Sequence, residues 1–375
     1  MSGVAATIPI PEASAAVSRR KLGFVQSLRA VAATGVAISH IVKEIFHGAE
    51  AGTWVLNEFM LWQFGVDLFF LISGFIMYYI TDSRSIGLGD AWNFLMRRLV
   101  RIVPLYWFYM SLFLLVGVLA SDALHTAVIS APYIAKSYLF LPAVRPGTDE
   151  IAPFFTLGWT LNYEMMFYAI YAVLIALSFR RTLLPIVFVL GALALVGPLV
   201  PEGLAPLWYW TRTIVIEFVF GAIVAHLFRS GTLRFKLPVG IAVIVAGILI
   251  WQASGIAWPV REPAVNVRGL TWGVAALFMV GGVALTPSVV DRMETLGKGF
   301  VGKIGDASYS LYLSHMFVVR AMTMLFAHLF GATLGGGIAI LYFVATLGLS
   351  FLVAIASFYA IERPAIAFGR RYIHK

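Results

Sequence analysis

Uninterrupted apolar stretches of about 20 residues recur along the chain, and they constrain its fold more than any other feature. A helix of that length spans the hydrocarbon core of a bilayer. Outer-membrane barrels instead show segments of about ten residues with alternating polarity. The composition agrees, since 61% of the 375 residues are hydrophobic and 12% are charged, which excludes a soluble domain or a disordered chain. The sequence therefore predicts an all-α, polytopic integral membrane protein.

Glycine, proline, serine and charge clusters divide this apolar sequence into about ten predicted transmembrane helices. They lie at residues 22–46, 59–80, 98–120, 159–179, 182–200, 207–228, 237–253, 267–286, 304–330 and 338–361. We predict one transmembrane domain over residues 22–362, with cytoplasmic tails at 1–21 and 363–375. The long connection 121–158 contains a moderately apolar stretch, 123–141, which we interpret as an interfacial or re-entrant helix.

Basic residues are distributed unevenly between the alternate connections. If the N-terminus is cytoplasmic, 19 of the 27 basic residues lie in inner segments and six lie in outer segments. This bias is the positive-inside pattern, and it predicts that both termini are cytoplasmic. It also accounts for the net charge of +9 without a nucleic-acid partner.

Several common chemistries have no motif in this sequence. The chain has no cysteine, so a disulfide, a thiolate nucleophile and a cysteine zinc site are excluded. No Walker loop or Rossmann glycine motif occurs, which leaves ATP and NAD chemistry without support. No internal repeat is visible, so the sequence gives no support for an inverted-repeat transporter.

Charged and titratable residues inside the predicted spans are the main functional signal, because each is costly to bury in a bilayer. These residues are Arg29, His40, Asp67, Arg101, Glu164, Glu217, His315 and Arg320. The alternative is structural pairing, for example of Asp67 with an arginine. We expect that alternative for some of these residues but not for all of them.

Arg29 and His40 lie eleven residues apart in the first predicted span. At about 100° per residue they project from one helix face, roughly 16 Å apart along the axis. Arg29 is near the cytoplasmic end and His40 is in the outer half, an order that suits a path from an anionic donor inside to an acceptor outside. The alternative is an arginine that snorkels inward and a buried, hydrogen-bonded histidine.

Other polar groups extend this candidate site. Glu164 has a depth comparable to that of His40, and a contact between the two would fix the imidazole tautomer. Arg97 and Arg101 are four residues apart at a helix start near the cytosol, and guanidinium groups there suit phosphate oxygens. Positive-inside anchoring is the alternative for one or two of the arginines at 97, 98 and 101.

Histidines are the natural candidates for a base at neutral pH, and only His40 and His315 lie well inside spans. We assign the base role to His40, because it lies nearer the outer side. The pair of histidines, or His40 with Glu44 and His47, could suggest a metal. Since Glu44 and His47 lie at a span end, we interpret them as a solvated helix face and predict no metal.

Six sequence blocks in order resemble the membrane acyltransferase family 3, the bacterial O-acyltransferases of surface and secreted glycans. The resemblance extends from Leu28 to Pro364. The blocks are Arg29 with His40, the segment 65–75, Arg97 with Arg101 and Pro104, the segment 159–164, the segment 217–221, and the segment 309–315. The form Asn162-Tyr163-Glu164 is similar to the exopolysaccharide-modifying branch.

This resemblance implies transfer of an acyl group, usually acetyl, from cytoplasmic acyl-CoA to a sugar hydroxyl. Acetyl-CoA or another acyl-CoA would be the co-substrate, and the acceptor would be a glycan or an undecaprenyl-linked oligosaccharide. By this resemblance His40 is the essential histidine and Arg29 its motif partner, and Arg97 and Arg101 hold the CoA phosphates. Glu164, Tyr309 and His315 complete the polar core.

The resemblance also implies a multi-pass protein of the bacterial inner membrane, in contact with the lipid bilayer. Whether His40 acts as a general base or carries the acyl group transiently stays open at this point, as does assembly into a homo-oligomer. A polytopic transporter or flippase of a glycan or small anion is the alternative function, since it also needs intramembrane charges.

Overall fold

The computed structural model describes residues 22–46, 61–81, 87–119, 130–178, 183–257, 267–331 and 336–373. Within these ranges the chain is helical and has no β-strand, apart from an isolated antiparallel bridge between Val144 and Ile151. The predicted all-α class is therefore confirmed. The α-helices are α1 Gly23–Ile45, α2 Gly65–Ile80, α3 Leu88–Leu119, α4 Ala131–Tyr138, α5 Trp159–Ala176, α6 Leu183–Val196, α7 Ala205–Trp210, α8 Ile216–Ser230, α9 Leu237–Ala257, α10 Arg268–Ala284, α11 Pro287–Leu296, α12 Phe300–Asp306, α13 Ser308–Phe330, α14 Gly336–Ser357 and α15 Arg363–Ile373.

Six helical segments of the described chain are long and apolar enough to cross a membrane. A seventh arises if α10 and α11, which are bent by 89° at Leu285 and Thr286, form one broken span. Helix α2 and the segment Leu183–Leu199 are apolar but shorter. A multi-pass membrane protein is thus established, whereas the count of about ten spans is not confirmed.

Two predicted spans are interrupted in the structure. The span at 207–228 is divided, because α7 ends at Trp210 and α8 begins only at Ile216. The span at 304–330 is divided at Ala307, between α12 and α13. Polar residues lie at both breaks, at 211–213 in the first and at Asp306 in the second, but the longer apolar runs on either side led the sequence analysis to join them into single spans.

The predicted helix at 123–141 corresponds to the short helix α4, and residues 123–129 lie outside the described residues. The predicted tail at 1–21 also lies outside them. The predicted tail at 363–375 forms helix α15, which packs against α3. A π-helical turn, Phe358–Glu362, joins α14 to α15.

Helix α1 occupies the centre of the fold and contacts α2, α11, α12 and α13. Helices α2 and α8 pack closely at two glycines. A Cβ atom on Gly74 would collide with the carbonyl oxygen of Phe218, and one on Gly221 would collide with that of Leu71. Absence of a Cβ therefore lets the two backbones approach, as is typical of helix contacts in membranes. This contact explains the glycines in two of the sequence blocks.

Candidate active site

A cavity of about 80 Å³ lies between α1, α2, α3, α5 and α13. Its polar and charged lining residues are Arg29, Ser73, Arg98, Arg101, Thr160, Glu164, Tyr168, Tyr309 and Tyr312. Three guanidinium groups and one carboxylate give this lining an excess of two positive charges. We call it the arginine cavity. By the positive-inside pattern, the lining residues of α1 and α13 lie toward the predicted cytoplasmic ends of these helices, whereas Thr160 lies at the predicted outer end of α5.

Glu164 is the carboxylate of the arginine cavity. Its Oε1 accepts a hydrogen bond of 2.9 Å from the Ser73 hydroxyl and another from the Tyr168 hydroxyl. Arg29 and Arg98 both lie within electrostatic range of it. The carboxylate therefore balances part of the positive charge of this wall, and the remaining guanidinium charge is available to an anion.

The predicted contact between Glu164 and His40 is not among the hydrogen bonds of the described residues. Glu164 points instead toward Ser73 and Tyr168. The prediction compared depth along the two helices, and depth does not determine which face of a helix a residue occupies.

The arginines of α3 differ in position. Arg98 is buried, with its guanidinium 5.6 Å from the centroid of the Phe94 ring and 6.0 Å from that of Tyr168. Arg98 and Arg101 line the arginine cavity, whereas Arg97 is exposed and does not. The sequence prediction paired Arg97 with Arg101, but the cavity lies on the side of α3 that holds Arg98. Cation–π contacts with two rings hold the Arg98 side chain in place.

Glu362 is a site residue that the sequence analysis missed. It is 2% exposed, lies on the π-helical turn after α14, and accepts a hydrogen bond of 2.7 Å from the Ser310 hydroxyl. It lies within electrostatic range of Arg29 and Arg101. Such turns often occur at functional sites. One signal was available, since Glu362 is the only acidic residue after Asp306.

The two intramembrane histidines form a pair. Nε2 of His315 lies 3.4 Å from Nδ1 of His40, and the ring centroids are 5.0 Å apart. Nδ1 of His40 lies 2.9 Å from the Val36 carbonyl oxygen, and Nδ1 of His315 lies 3.1 Å from that of Leu311.

These contacts assign the tautomers of the neutral rings. Because a carbonyl oxygen only accepts hydrogen bonds, Nδ1 of each imidazole carries the proton. The Nδ1–H of His40 donates to the Val36 carbonyl oxygen, and the unprotonated Nε2 of His315 lies 3.4 Å from the same Nδ1 as a weaker, secondary acceptor. The lone pair of His40 is therefore on Nε2. The Val36 carbonyl oxygen thereby orients His40 as a base, with His315 beside it.

Two tyrosines of α13 line the arginine cavity, and one of them also contacts the histidine pair. The Tyr309 hydroxyl donates 2.9 Å to the Ile102 carbonyl oxygen, which fixes this lining residue against α3. The Tyr312 ring also lines the cavity, and its centroid is 6.2 Å from that of His315. His315 itself is buried and does not line the cavity. The structure therefore places it behind Tyr312, against His40.

Asp67 belongs to a different group of buried charges. Both of its carboxylate oxygens accept hydrogen bonds from Arg268, at 2.9 and 2.8 Å, and both residues are almost fully buried. Glu217 is fully buried beside this pair. The alternative of structural pairing with an arginine is thus the arrangement found for Asp67.

Metal ligands are not clustered in the described chain, where no three or more histidine, aspartate or glutamate residues come together. His47, which was considered with His40 and Glu44, lies outside the described residues. The absence of a metal from the reaction stays a prediction.

A family model described as an acyltransferase domain matches residues 22–358. Together with the helical fold and its membrane-spanning segments, this match defines a multi-pass membrane acyltransferase. The chain belongs to the membrane acyltransferase family 3, which confirms the resemblance carried by the six sequence blocks.

Two relatives illustrate this similarity. The chain is 34% identical over 333 residues to the exopolysaccharide production protein ExoZ of Rhizobium meliloti (strain 1021), covering 87% of this chain and 95% of that protein. It is 26% identical over 325 residues to the acyltransferase MdmB of Streptomyces mycarofaciens, covering 80% and 79%. No solved structure matches this chain.

Proposed function

We propose that this acyltransferase moves an acyl group, in the first instance acetyl, from cytoplasmic acyl-CoA to a sugar hydroxyl of an exopolysaccharide or a lipid-linked glycan. The observation that carries the proposal is the positively charged arginine cavity, whose lining residue Tyr312 lies against His315 of the His40–His315 pair. An anionic donor suits the cavity, and a hydroxyl nucleophile suits the imidazole. The name of the relative ExoZ supports exopolysaccharide as the acceptor class.

The proposed reaction is a direct transfer. Nε2 of His40 takes the proton of the sugar hydroxyl while its oxygen attacks the thioester carbonyl carbon. The tetrahedral intermediate then releases CoA by cleavage of the C–S bond, the leaving thiolate takes the proton held on Nε2 of His40, and the sugar ester and the neutral imidazole remain. In this scheme Arg29, Arg98 and Arg101 hold the anionic donor, with Glu164 and Glu362 as positioning residues. The inner membrane and cytoplasmic termini are part of the same proposal.

The proposed binding of the acyl-CoA donor by the arginines can be tested with substitutions in α3 alone. We expect Arg98→Ala and Arg101→Ala each to raise the KM for acetyl-CoA roughly tenfold or more, because each removes a hydrogen bond between charged groups. Arg101→Lys should rescue binding only partly, since lysine lacks the bidentate fork. The measurement is donor binding and steady-state kinetics on purified protein.

Arg97→Ala is the matched control for this experiment, since it removes the same charge from an exposed position one residue away. We expect its KM for acetyl-CoA to stay within about twofold of the parent value. Equal losses of acetyl-CoA affinity in Arg97→Ala and Arg98→Ala would show that surface charge alone causes the effect. That result would contradict the proposed role of the arginine cavity.

The proposed orientation gives a separate prediction. Reporter domains fused after Lys375 and inserted within 121–158 should report from opposite sides of the membrane, with the first in the cytoplasm. Paired activity-based reporters, one active only in the cytoplasm and one only outside it, make this measurement. Signals from the same side would contradict the orientation and the cytoplasmic donor route.

A further inference from the structure

A second and larger cavity lies away from the arginine cavity. Its volume is about 600 Å³, within the usual range of small-ligand sites. It is formed by the end of the connection before α5, the connection around α7, and the start of α10. The positive-inside pattern places these three segments together on the outer side. We call it the outer cavity.

Aromatic rings with fixed orientations line the outer cavity. The rings of Tyr163 and Tyr209 stack with centroids 4.4 Å apart. The Tyr163 hydroxyl donates 2.8 Å to the Tyr209 carbonyl oxygen, and the Tyr209 hydroxyl donates 2.9 Å to that of Trp159. Trp159 and Trp208 are the partly exposed rings of the lining. The buried tyrosine pair fixes one wall of the cavity, and the two tryptophan rings present apolar surface to a ligand.

The charge of the outer cavity is opposite to that of the arginine cavity. Three carboxylates and one guanidinium line it, those of Asp149, Glu150, Glu202 and Arg268. Arg268 is neutralised by Asp67, and Glu150 forms an exposed ion pair of 2.7 Å with Arg145. Asp149 and Glu202 are exposed. A phosphate-bearing donor is therefore repelled here, whereas hydroxyl groups can donate to these carboxylates.

Helix α5 forms a wall of both cavities. Trp159 and Tyr163 line the outer cavity, and Thr160 and Glu164 line the arginine cavity. Residues 159 and 163 precede 160 and 164 by one position, or about 100° of helix rotation, so the two cavities lie on adjacent faces of α5. A ligand held in the outer cavity lies close to the donor without competing for the donor's charges.

From this combination we infer that the outer cavity binds a neutral pyranose unit of the acceptor glycan, next to the sugar that reacts. A pyranose ring has apolar C–H faces that pack on aromatic rings and peripheral hydroxyls that donate to carboxylates. The outer cavity offers both groups, and it offers no unneutralised cation among its described lining. The identity of this ligand as an acceptor rests on the proposed function, whereas saccharide binding itself does not.

Binding of defined saccharides tests the inference. Purified full-length protein in nanodiscs is titrated calorimetrically with neutral gluco-, manno- and galacto-tetrasaccharides, and with anionic tetragalacturonate. We expect millimolar or tighter binding of at least one neutral probe and at least tenfold weaker binding of the anionic one. Trp208→Ala and Glu202→Gln should each weaken the neutral probe about tenfold. No binding of any neutral probe would overturn the inference.

Matched variants outside the cavity are Trp92→Ala, an exposed tryptophan, and Asp291→Asn, an exposed carboxylate. Both should bind the neutral probe like the parent protein. Equal losses of affinity in these controls and in the cavity variants would overturn the proposed saccharide site.

Transfer assays separate this inference from the proposed function. If Trp208→Ala and Glu202→Gln raise the acceptor KM and leave the acetyl-CoA KM unchanged, both stand. Transfer with an unchanged acceptor KM in both variants would contradict acceptor binding in the outer cavity and would still support the proposed acyl-transfer function. If the protein binds neutral saccharides but transfers no acyl group, the outer cavity is supported as a saccharide site and the proposed acyl-transfer function is contradicted.

Discussion

Replacing His40 by alanine is expected to lower the rate of acyl transfer by about 10²–10⁴-fold, the usual loss when a general base is removed. A sugar hydroxyl is a poor nucleophile at neutral pH, and the tautomers of the histidine pair place a lone pair on Nε2 of His40. Acetyl-CoA binding should persist, because His40 does not line the arginine cavity. Single-turnover transfer and equilibrium donor binding on the same purified variant measure both quantities.

His226→Ala is the matched control, since His226 is an exposed histidine near the end of α8, hydrogen-bonded to Tyr78 at 2.8 Å. We expect nearly full activity from it. Near-normal transfer by His40→Ala would contradict the base role and make His315 the leading candidate. Label retained on the protein after incubation with radiolabelled acetyl-CoA alone would instead favour an acyl-histidine intermediate.

Removing the Arg268 side chain should cause the largest loss of stability among the changes considered. Arg268→Ala leaves Asp67 buried without its bidentate partner, beside the buried Glu217. Breaking a buried pair in this way costs about 3–5 kcal/mol in the free energy of unfolding. Denaturant titration in detergent, followed by tryptophan fluorescence, measures the change.

Arg145→Ala provides the comparison, because the Arg145–Glu150 ion pair is exposed to solvent. Its loss should change the free energy of unfolding by about 0–1 kcal/mol. The double change Asp67→Leu with Arg268→Met should recover much of the stability, since it removes both buried charges together. Equal destabilisation by Arg268→Ala and Arg145→Ala would contradict a structural role for the buried pair.

The sequence predicts the class of fold well, because membrane insertion depends on local properties of the chain. Long apolar runs specify helices, and the boundaries of α1 and α5 and the end of α2 follow from them within a few residues. The order of the six sequence blocks also identifies the family. The breaks before α8 and α13 were missed although polar residues at 211–213 and at Asp306 mark them, because the apolar runs on either side outweigh these few residues.

The site is predicted less completely, because it depends on how helices are rotated and packed. Arg97 and Arg98 are adjacent in sequence, yet only Arg98 lines the arginine cavity. The depth of Glu164 suggested contact with His40, but the packing of α2 against the rest of the bundle gives it Ser73 as a partner. Contacts between residues distant in sequence determine which side chains meet in the site. The spacing of residues along one helix gives no information about these contacts.

For some buried pairs the sequence indicated one residue as unusual but did not identify the residue it contacts. Asp67 required a cation, but its partner Arg268 lies 201 residues further along the chain. Glu362 stood alone as an acidic residue near the C-terminus, and only the π-helical turn brings it to Ser310. In both cases the residue type was informative, whereas the pairing required the folded helices.

The most direct test of the proposed activity is transfer by the purified protein. Nanodisc-reconstituted protein is incubated with acetyl-CoA labelled in its acetyl group and with a lipid-linked glycan fraction, and the glycan is then analysed for label. We predict label in an alkali-labile ester on the glycan, formed by the parent protein and reduced at least a hundredfold in His40→Ala. No label in the glycan, together with protein-dependent movement of the glycan across a vesicle membrane, would contradict acyl transfer and favour a flippase.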